Sequence, residues 1–300
     1  MVKKILNKFP TVALSSTKQN KDILSIAKQC HEVLTNHGSK VLFDENLSKL
    51  NSNRLASSSK KEILRKSNLL ISIGGDGTML NCAREYGSHG VPVLGINLGN
   101  LGFLNDIAPK ELTSNLIKVV EGDYLLDKRF FLETLVEGSA KGKKKEFLAL
   151  NEVVIHSGEI AQLIEFDLFI NQSFVYRQKA DGLIISSPTG STAYALSGGG
   201  PILHPSVDSI VLLPMQPLSL SSSPLIVSSD SEIKIILAKP SKKVHVSCDS
   251  HSNIFINHND SVSITKSRSE LNLIHPRDHD FFAACRNKLG WSTTFPDSLD

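Results

Sequence analysis

Cysteine is sparse, neither sign of charge is in excess, and no long apolar run exists; each shortage excludes a class of function. The four cysteines, Cys30, Cys82, Cys248 and Cys285, are scattered without a CxxC pair. A zinc site or a disulfide framework is therefore not expected, and the thiols read as reduced and mostly buried. The 33 basic and 30 acidic residues leave a net charge of +3, short of the strongly basic face that nucleic-acid binding requires. The local run of Lys141, Lys143, Lys144 and Lys145 reads as a solvated loop. No stretch of about 18 uncharged apolar residues is present, so no membrane-spanning helix is expected. The first residues are basic, but Lys8 and Pro10 interrupt the apolar run and no signal-peptide core follows. The expectation is a cytoplasmic protein with neither a nucleic-acid nor a membrane partner.

What remains is ordinary globular material: 300 residues, 40% hydrophobic, with 19 glycines and 12 prolines, a length that suits two domains of about 100–200 residues each. In the first third, strand-like runs alternate with helical spacing. Thr11–Ser15, Lys40–Phe43, Asn68–Ile73 and Val91–Asn97 read as strands. Asp22–His37, the segment from Met79 to Tyr86, and Leu112–Val120 read as helices, whereas Asn46–Ser59 reads as a polar loop. That alternation predicts a parallel α/β sheet. From Arg129 the rhythm changes to short β-type runs: Phe130–Glu137, Phe147–His156, Ile164–Ile170, Gln172–Tyr176, Leu183–Ser186, Ile210–Pro214, Glu232–Leu237, Lys243–Cys248, Asn253–Ile256 and Ser261–Lys266. Asn171-Gln172 and the turn at 257–259 suit hairpins, so a β-rich second domain of sandwich or closed-sheet type is predicted. Asp280–Leu289 returns to helical spacing.

Three strings carry chemistry. In SIGGDGTML (72–80) an apolar strand runs straight into glycines around Asp76. This places a carboxylate at the carboxyl end of a parallel sheet, where ligands bind in open α/β folds. Gly74, Gly75 and Gly77 permit close backbone approach, and the helix start beyond offers N–H groups suited to phosphate. A dinucleotide fingerprint would need glycine where Leu80 stands, and no GxxxxGK[ST] occurs, so any nucleotide cradle is of another type. Second, Asn151 and Glu152 stand at the entrance of an apolar strand, where buried polar groups must find partners; the pair suits sugar hydroxyls. Third, ADG (180–182) leads through a strand into SPTGSTAY (187–194) and SGGGP (197–201), a hydroxyl- and glycine-rich segment able to bend closely around a ligand.

The ordered set GGDGT, LNEVV, ADGLI, SPTGSTAY and SGGGP closely resembles the NAD kinases, and the likeness runs from the first strand to the FFAACRNKLGW tail. GGDGT by itself is shared with phosphofructokinases and with diacylglycerol and sphingosine kinases; the remaining strings are more specific. The resemblance implies a Rossmann-like α/β domain over 1–125, a β-sandwich NAD-binding domain over 126–275, and a C-terminal helix in 276–300 returning to the first domain, with NAD bound between the domains. It implies transfer of the γ-phosphate of ATP, or phosphate of polyphosphate, to the 2′-hydroxyl of the adenosine ribose of NAD, with a divalent cation such as Mg²⁺. It also implies a homodimer or homotetramer whose neighbouring subunit helps to line the site. The readings set against this one are a lipid kinase sharing GGDGT and a non-catalytic NADP-binding module.

Carried over by position, Asp76 matches the acid that accepts the hydroxyl proton or holds the metal, and Gly77 lies beside it. Asn151 and Glu152 match a pair contacting NAD hydroxyls and base, and Asp181 matches a carboxylate reaching the dinucleotide. Thr192, Ala193, Tyr194, Ala195, Leu196 and Ser197 match the loop around the second half of NAD. Three positions depart from the common pattern. Lys179 stands where arginine is frequent, which keeps the charge but loses the bidentate fork. Gln162 stands where histidine or arginine is common. His251 replaces a glutamine contact, with Ser250 beside it in place of glycine.

Overall fold

The computed structural model describes residues 7–49, 56–99, 102–138, 144–159, 162–239, 244–258 and 260–291. Lys141, Lys143, the third residue of the 257–259 turn, and the tail beyond Trp291 lie outside the described residues. The chain forms two compact units: the residues up to Lys128 together with those from Leu271 onward, and Arg129–Glu270.

In the first unit the continuous apolar runs become buried parallel strands. β1 (Thr11–Ser15), β2 (Lys40–Phe43), β3 (Leu69–Ile73) and β4 (Val93–Ile96) lie in the order β2-β1-β3-β4, and Leu273 and Ile274 add in parallel beside β4. The connecting helices are α1 (Lys21–Asn36), α2 (Glu45–Lys49), α3 (Lys60–Lys66), α4 (Asp76–Glu85) and α5 (Leu112–Glu121). Asn20 caps α1 by accepting the Ile23 N–H at 2.8 Å. The helix buries Ile23, Ile26, Ala27, Cys30, Val33 and Leu34, a stripe at helical spacing. That stripe and the apolar face of α5 share a core with Leu14, Ile71, Leu94 and Ile96. Successive strand residues point to opposite faces, so Gly95 and Ser15 look the other way, toward α4. A Cβ on Gly95 would lie 2.7 Å from Met79 Cε, and Cys82 Sγ sits 3.5 Å from Ser15 Oγ. Helices thus cover both faces, as in a Rossmann-like layer arrangement.

The second unit is antiparallel. Its strands are β5 (Tyr124–Glu137), β6 (Lys144–Ala149), β7 (Glu152–Ser157), β8 (Ile164–Ile170), β9 (Ser173–Ala180), β10 (Gly182–Ser186), β11 (Ser209–Met215), β12 (Leu225–Ser228), β13 (Ile233–Leu237), β14 (Val244–Cys248), β15 (Ser252–Ile256) and β16 (Ser261–Pro276). β5 and β16 contain the two chain passages between the units. One sheet has the order β12-β11-β10-β7-β14-β15; the other sets β16-β13-β8-β9 side by side and pairs β5 with β6. Val153, Ile155, Leu183, Ile185 and Val246 of the first meet Phe166, Leu168, Ile235 and Ile264 of the second in one core, which makes a sandwich. The outer face of the six-stranded sheet, with Val154, Ile184, Val211 and Leu213, is covered by Ala195 of the short helix α6 (Tyr194–Ser197). The last helix, α7 (Phe281–Leu289), is capped by Asp280 and stops at Gly290, which has φ +65°.

Several elements differ from the sequence expectation, each for a local reason. The polar stretch from Asn46 starts inside a helical turn, because Asp44 Oδ1 accepts the Leu47 N–H at 2.8 Å. Lys60–Lys66 is helical behind Ser59, which caps it. The run Phe147–His156 is two strands, broken at Leu150 and Asn151. The last strand continues ten residues past Lys266, through polar residues that alternate with buried ones. All four cysteines are free and buried; burial pushes the thiols of Cys30 and Cys82 up to about 12 and about 11, despite local hydrogen bonds. No helix among the described residues is long and apolar enough to cross a membrane.

The β14–β15 turn offers a test of local strain. Asp249 and Ser250 hold φ +47° and +55°, with the His251 N–H returning to Cys248 O at 2.9 Å, a turn that favours glycine at such φ values. Ser250→Gly is expected to stabilise the protein by about 0.5–1 kcal/mol and to raise the thermal midpoint by about 2 °C. A lower midpoint in differential scanning fluorimetry would show that the serine is not strained.

Candidate functional site

Two polar centres stand out, one in each unit. In the first, β3 ends in Gly74 and the chain turns directly into α4. Gly74 has φ +156°, and a Cβ there would lie 2.5 Å from Thr78 Oγ1, so the turn admits no side chain. Gly75 is the N-cap and provides no side-chain cap. Asp76 is the first helical residue, and its carboxylate does not cap its own helix. Oδ2 accepts the Phe103 N–H at 3.3 Å and Oδ1 accepts from Asn105 Nδ2 at 3.2 Å. The contact with the loop is close because Gly102 lacks a Cβ, which would otherwise fall on Asp76 Oδ1. Lys288 Nζ lies 3.5 Å from Oδ2 and 4.6 Å above the Phe103 ring. Gly75 and Gly77 meet nothing within 4 Å where a Cβ would stand; packing inside the protein does not require glycine at either position.

Behind this acid lies a buried charge cluster. Asp106, one residue past Asn105, pairs with His275 Nδ1 and, at 3.2 Å, with His279 Nδ1. The two rings stack at 3.9 Å, and His275 Nε2 lies 3.5 Å from Asp127 Oδ2. Burial disfavours charge on His275, yet the hydrogen bonds to Asp106 and Asp127 outweigh it and raise the imidazole above its usual range. For Asp106 burial likewise opposes ionisation, and hydrogen bonds from both histidines overcome it, holding the carboxyl well below the usual range. The three side chains also have metal-ligating chemistry, but each imidazole nitrogen facing Asp106 is already engaged with its carboxylate. The cluster ties the loop that holds Asp76 to the segment that leads into α7.

In the second unit the centre is the break between β6 and β7. Asp249, from the β14–β15 turn, accepts the backbone N–H groups of Leu150 and Asn151 at 2.8 Å each and of Glu152 at 3.2 Å. Ser187 fixes the other side: its N–H donates to Asn151 O at 2.9 Å and its Oγ to Leu150 O at 2.5 Å. Gly190 is pressed against the same backbone; a Cβ would lie 2.5 Å from the Asn151 carbonyl carbon. The backbone is satisfied, but the side chains are not. Asn151 Oδ1 and Glu152 Oε2 are buried, and no described residue pairs with either. Burial, and then the adjacent Asp249 charge, raise the Glu152 carboxyl from 4.5 to about 8, against one stabilising N–H from Tyr194. Orphaned buried oxygens of this kind call for a ligand or water.

Gln162, Asp181 and Tyr194 come together in the structure. They line one cavity of about 320 Å³ with His156, Ser247 and Ser250. Lys179 does not join them. It lies 3.7 Å from Glu165 Oε2 and lines a separate groove of about 750 Å³ with Val175 and Leu218. His251 is exposed on its turn while its neighbour Ser250 reaches the cavity. Ala195 is fully buried in the sheet's outer cluster, which makes it a packing residue. Leu196 is half-buried, and Ser197 is exposed. The hydroxyl-rich loop spends its donors internally. Ser191 Oγ bonds to Pro188 O at 2.6 Å, Thr192 Oγ1 to Thr189 O at 3.3 Å, and the Ala193 N–H to Gly190 O at 2.8 Å. Sequence reasoning missed Asn105, Lys288 and the anchoring role of Asp249; no sequence signal joins them to the residues they serve, from which each is separated by 29 positions or more.

Comparison with known proteins matches this geometry to one family over both units. The model for the ATP-NAD kinase N-terminal domain matches residues 12–124, and that for the C-terminal domain matches residues 150–276. The chain is 43% identical to the NAD kinase of Teredinibacter turnerae, covering 96% of this chain and 99% of that one. It is 41% identical to the NAD kinase of Marinobacter nauticus, covering 96% and 98%. Among solved structures it is similar to yeast NADH kinase complexed with NADH, at a TM-score of 0.88 and 26% identity over 97% of this chain and 91% of that one. It is also similar to an NAD kinase from Archaeoglobus fulgidus in complex with ATP, at 0.70 and 25%, covering 93% and 97%.

Two pH profiles test the electrostatics. The depressed Asp106 carboxyl contributes stability above its unfolded value near ~4, lost as pH falls toward its folded value. The raised His275 contributes stability below its unfolded value near ~6.5, lost as pH rises through its folded value. The stabilising advantage of wild type over Asp106→Asn should therefore be greatest between about pH 4 and pH 6.5 and shrink on both sides; a difference independent of pH refutes the ion pair. Glu152 works in the opposite sense, because its raised pKa makes ionisation costly. Glu152→Gln should gain thermal stability over wild type progressively from about pH 5, levelling off above about pH 8. Parallel midpoints across that range would mean that the carboxyl is not desolvated.

Proposed function

The chain belongs to the NAD kinase family, and we propose that Asp76 carries the chemistry while the turn at Asn151 and Glu152 holds the acceptor. The enzyme is an ATP-dependent NAD kinase: it moves the γ-phosphate of ATP to the 2′-hydroxyl of the adenosine ribose of NAD, giving NADP and ADP. The lipid-kinase reading that GGDGT alone leaves open is not supported, since the second unit also matches the family. The observation that carries the assignment of Asp76 is its fixed carboxylate beside two glycines that face open space. Backbone without side chains, at the start of a helix, suits phosphate oxygens. Asp76 then accepts the proton of the ribose hydroxyl as the new O–P bond forms; an acid of this type needs only to take the proton late.

Mg²⁺ is bound in such sites by one or two carboxylates and by substrate phosphates. Asp76 beside the open glycines fits that donor set, and it is the residue that would hold the ion. When bound, the ion neutralises charge on the triphosphate. On the acceptor side, Asn151 Oδ1 and Glu152 Oε2 are the buried atoms in need of partners. At neutral pH Glu152 is largely protonated, so it can donate as well as accept, which suits a sugar hydroxyl or a base nitrogen. Asp181, Gln162 and Tyr194, which line one cavity, take the adjoining part of the ligand in this reading, and Thr192 and Ala193 are assigned to the same loop by their place beside Tyr194. Gly77 belongs to the phosphate cradle.

The enzyme assembles as a homodimer or homotetramer in this reading. Support comes from Phe174, Val175, Leu218 and Leu220, large apolar side chains that are exposed in the second unit. Lys179 shares a groove with two of them, which supports a role for it, and for His251 on its exposed turn, toward a neighbouring subunit's ligand. A reducing, cytoplasmic location accords with four free thiols. Asp76→Asn is expected to bind NAD as wild type does while losing turnover by on the order of 10³-fold. A coupled NADP assay showing near-normal kcat would overturn the assignment.

A further inference from the structure

Phosphoryl transfer builds negative charge on oxygens that a fold without a Walker lysine must neutralise otherwise. No GxxxxGK[ST] string exists in this sequence, yet a lysine is present at the acid. Lys288 lies in the last turn of α7, 212 positions from Asp76, with its ammonium 3.5 Å from Oδ2 and 4.6 Å over the Phe103 ring. Its side chain is 24% exposed against 35% for Asp76, so neither group is sealed from solvent. The ion pair is longer than a hydrogen bond, and Asp76 is already held by the Phe103 N–H and the Asn105 amide. The carboxylate therefore keeps its place if the ammonium turns away. Positioning of the ammonium is also independent of Asp76. Asp280 caps α7 at its start, Ala284 and Cys285 bury its inner face, and the Asp106 cluster fixes the segment before it.

We propose that Lys288 is a catalytic residue of the transfer, its ammonium binding the γ-phosphoryl oxygens of ATP while Asp76 engages the acceptor hydroxyl. In the step, the ribose 2′-oxygen forms a bond to the γ-phosphorus. The bond from that phosphorus to the β–γ bridging oxygen breaks, and its electron pair stays on that oxygen as ADP leaves. The hydroxyl proton passes to the Asp76 carboxylate. Lys288 exchanges no proton in the step and stabilises charge on the phosphoryl oxygens in flight. The Phe103 ring beneath it keeps the ammonium partly desolvated, which strengthens its attraction to an anion. This inference rests on the assignment of Asp76 as the reacting acid.

The test compares Lys288→Met, Lys288→Arg and Asp76→Asn in full-length enzyme, reading kcat, the KM for each substrate, NAD binding by calorimetry and the thermal midpoint. Lys288→Met should lower kcat by on the order of 10²-fold, leave NAD affinity and midpoint unchanged, and narrow the difference in affinity between ATP and ADP. Lys288→Arg should recover at least a tenth of the wild-type kcat, because the charge persists. A kcat for Lys288→Met within threefold of wild type overturns the proposal. A loss accompanied by weakened NAD binding or a lower midpoint, without recovery in Lys288→Arg, also overturns it, since that pattern belongs to a residue that only anchors α7. Should Lys288→Met fail to fold, Lys288→Gln takes its place under the same criteria. Loss in Asp76→Asn with normal Lys288→Met sinks this inference alone. The reverse pattern removes Asp76 from the chemistry and overturns the paired step proposed here, a failure distinguishable from the first because Lys288→Met alone is impaired.

Discussion

Carboxylates fixed by N–H groups of the chain itself are the constraint on which both polar centres depend. Asp76 is held by the backbone at Phe103 and the amide of Asn105. Asp249 gathers three consecutive backbone N–H groups at the start of β7. Buried N–H donors must be paired, and in each case the pairing also immobilises a loop that a ligand has to find in place. Preorganisation of this sort is what electrostatic catalysis requires, because no reorganisation remains to be done when charge develops. The two acids differ in what they leave free. Asp249 is consumed by its structural work, whereas Asp76 stays partly open and keeps oxygen surface for chemistry.

The same logic separates Asp249 from its neighbour Glu152. Two carboxyls close together and away from water do not ionise equally. Asp249 spends its oxygens on three backbone N–H groups, while burial, and then the adjacent Asp249, raise Glu152 to about 8. The result is one backbone-bound anchor and one acid that is mainly neutral at physiological pH, side by side, with an orphaned oxygen on Glu152 and another on Asn151. A neutral acid can donate a hydrogen bond, which an ionised one cannot. Recognition of a neutral sugar or base edge is better served by that state than by a second negative charge near a dinucleotide's phosphates.

How much of this was legible in the sequence follows from the range of the interactions. Continuous apolar runs and helical stripes are local, so β1 to β4, α1 and α5 were readable to within a few residues. The strings GGDGT and LNEVV pointed to the acid and the buried pair because each lies in one short segment. What escaped was non-local or hidden by composition. Asp249 and Lys288 act on residues about a hundred and two hundred positions away, and nothing in their own neighbourhoods records it. Leu225–Ser228 is a strand of alternating exposure at a sheet edge, with too few apolar residues to signal itself. The extra length of the last strand was masked by arginine and glutamate on its exposed side. In the hydroxyl-rich loop the donors were visible but their acceptors were not; most proved to be carbonyls of the same loop or of Leu150.

Glycines make the point most sharply, because one residue type serves two opposite purposes in the same motif. Gly74, Gly102 and Gly190 are demanded by the protein itself: a Cβ at each would collide with Thr78, with Asp76 and with the Asn151 backbone. Gly75 and Gly77 are not, since the space in front of each is empty and neither φ is positive. A glycine that costs helix stability at the start of α4 and relieves no crowding within the chain is explained by something outside the chain. Gly74 and Gly102 bring turn, loop and acid together, Gly190 seats the hydroxyl-rich loop on the Asn151 backbone, and the two outward ones leave bare backbone where phosphate oxygens can approach. Sequence alone presents these five residues as equivalent. The structure divides them into those that close contacts within the protein and those that face open space.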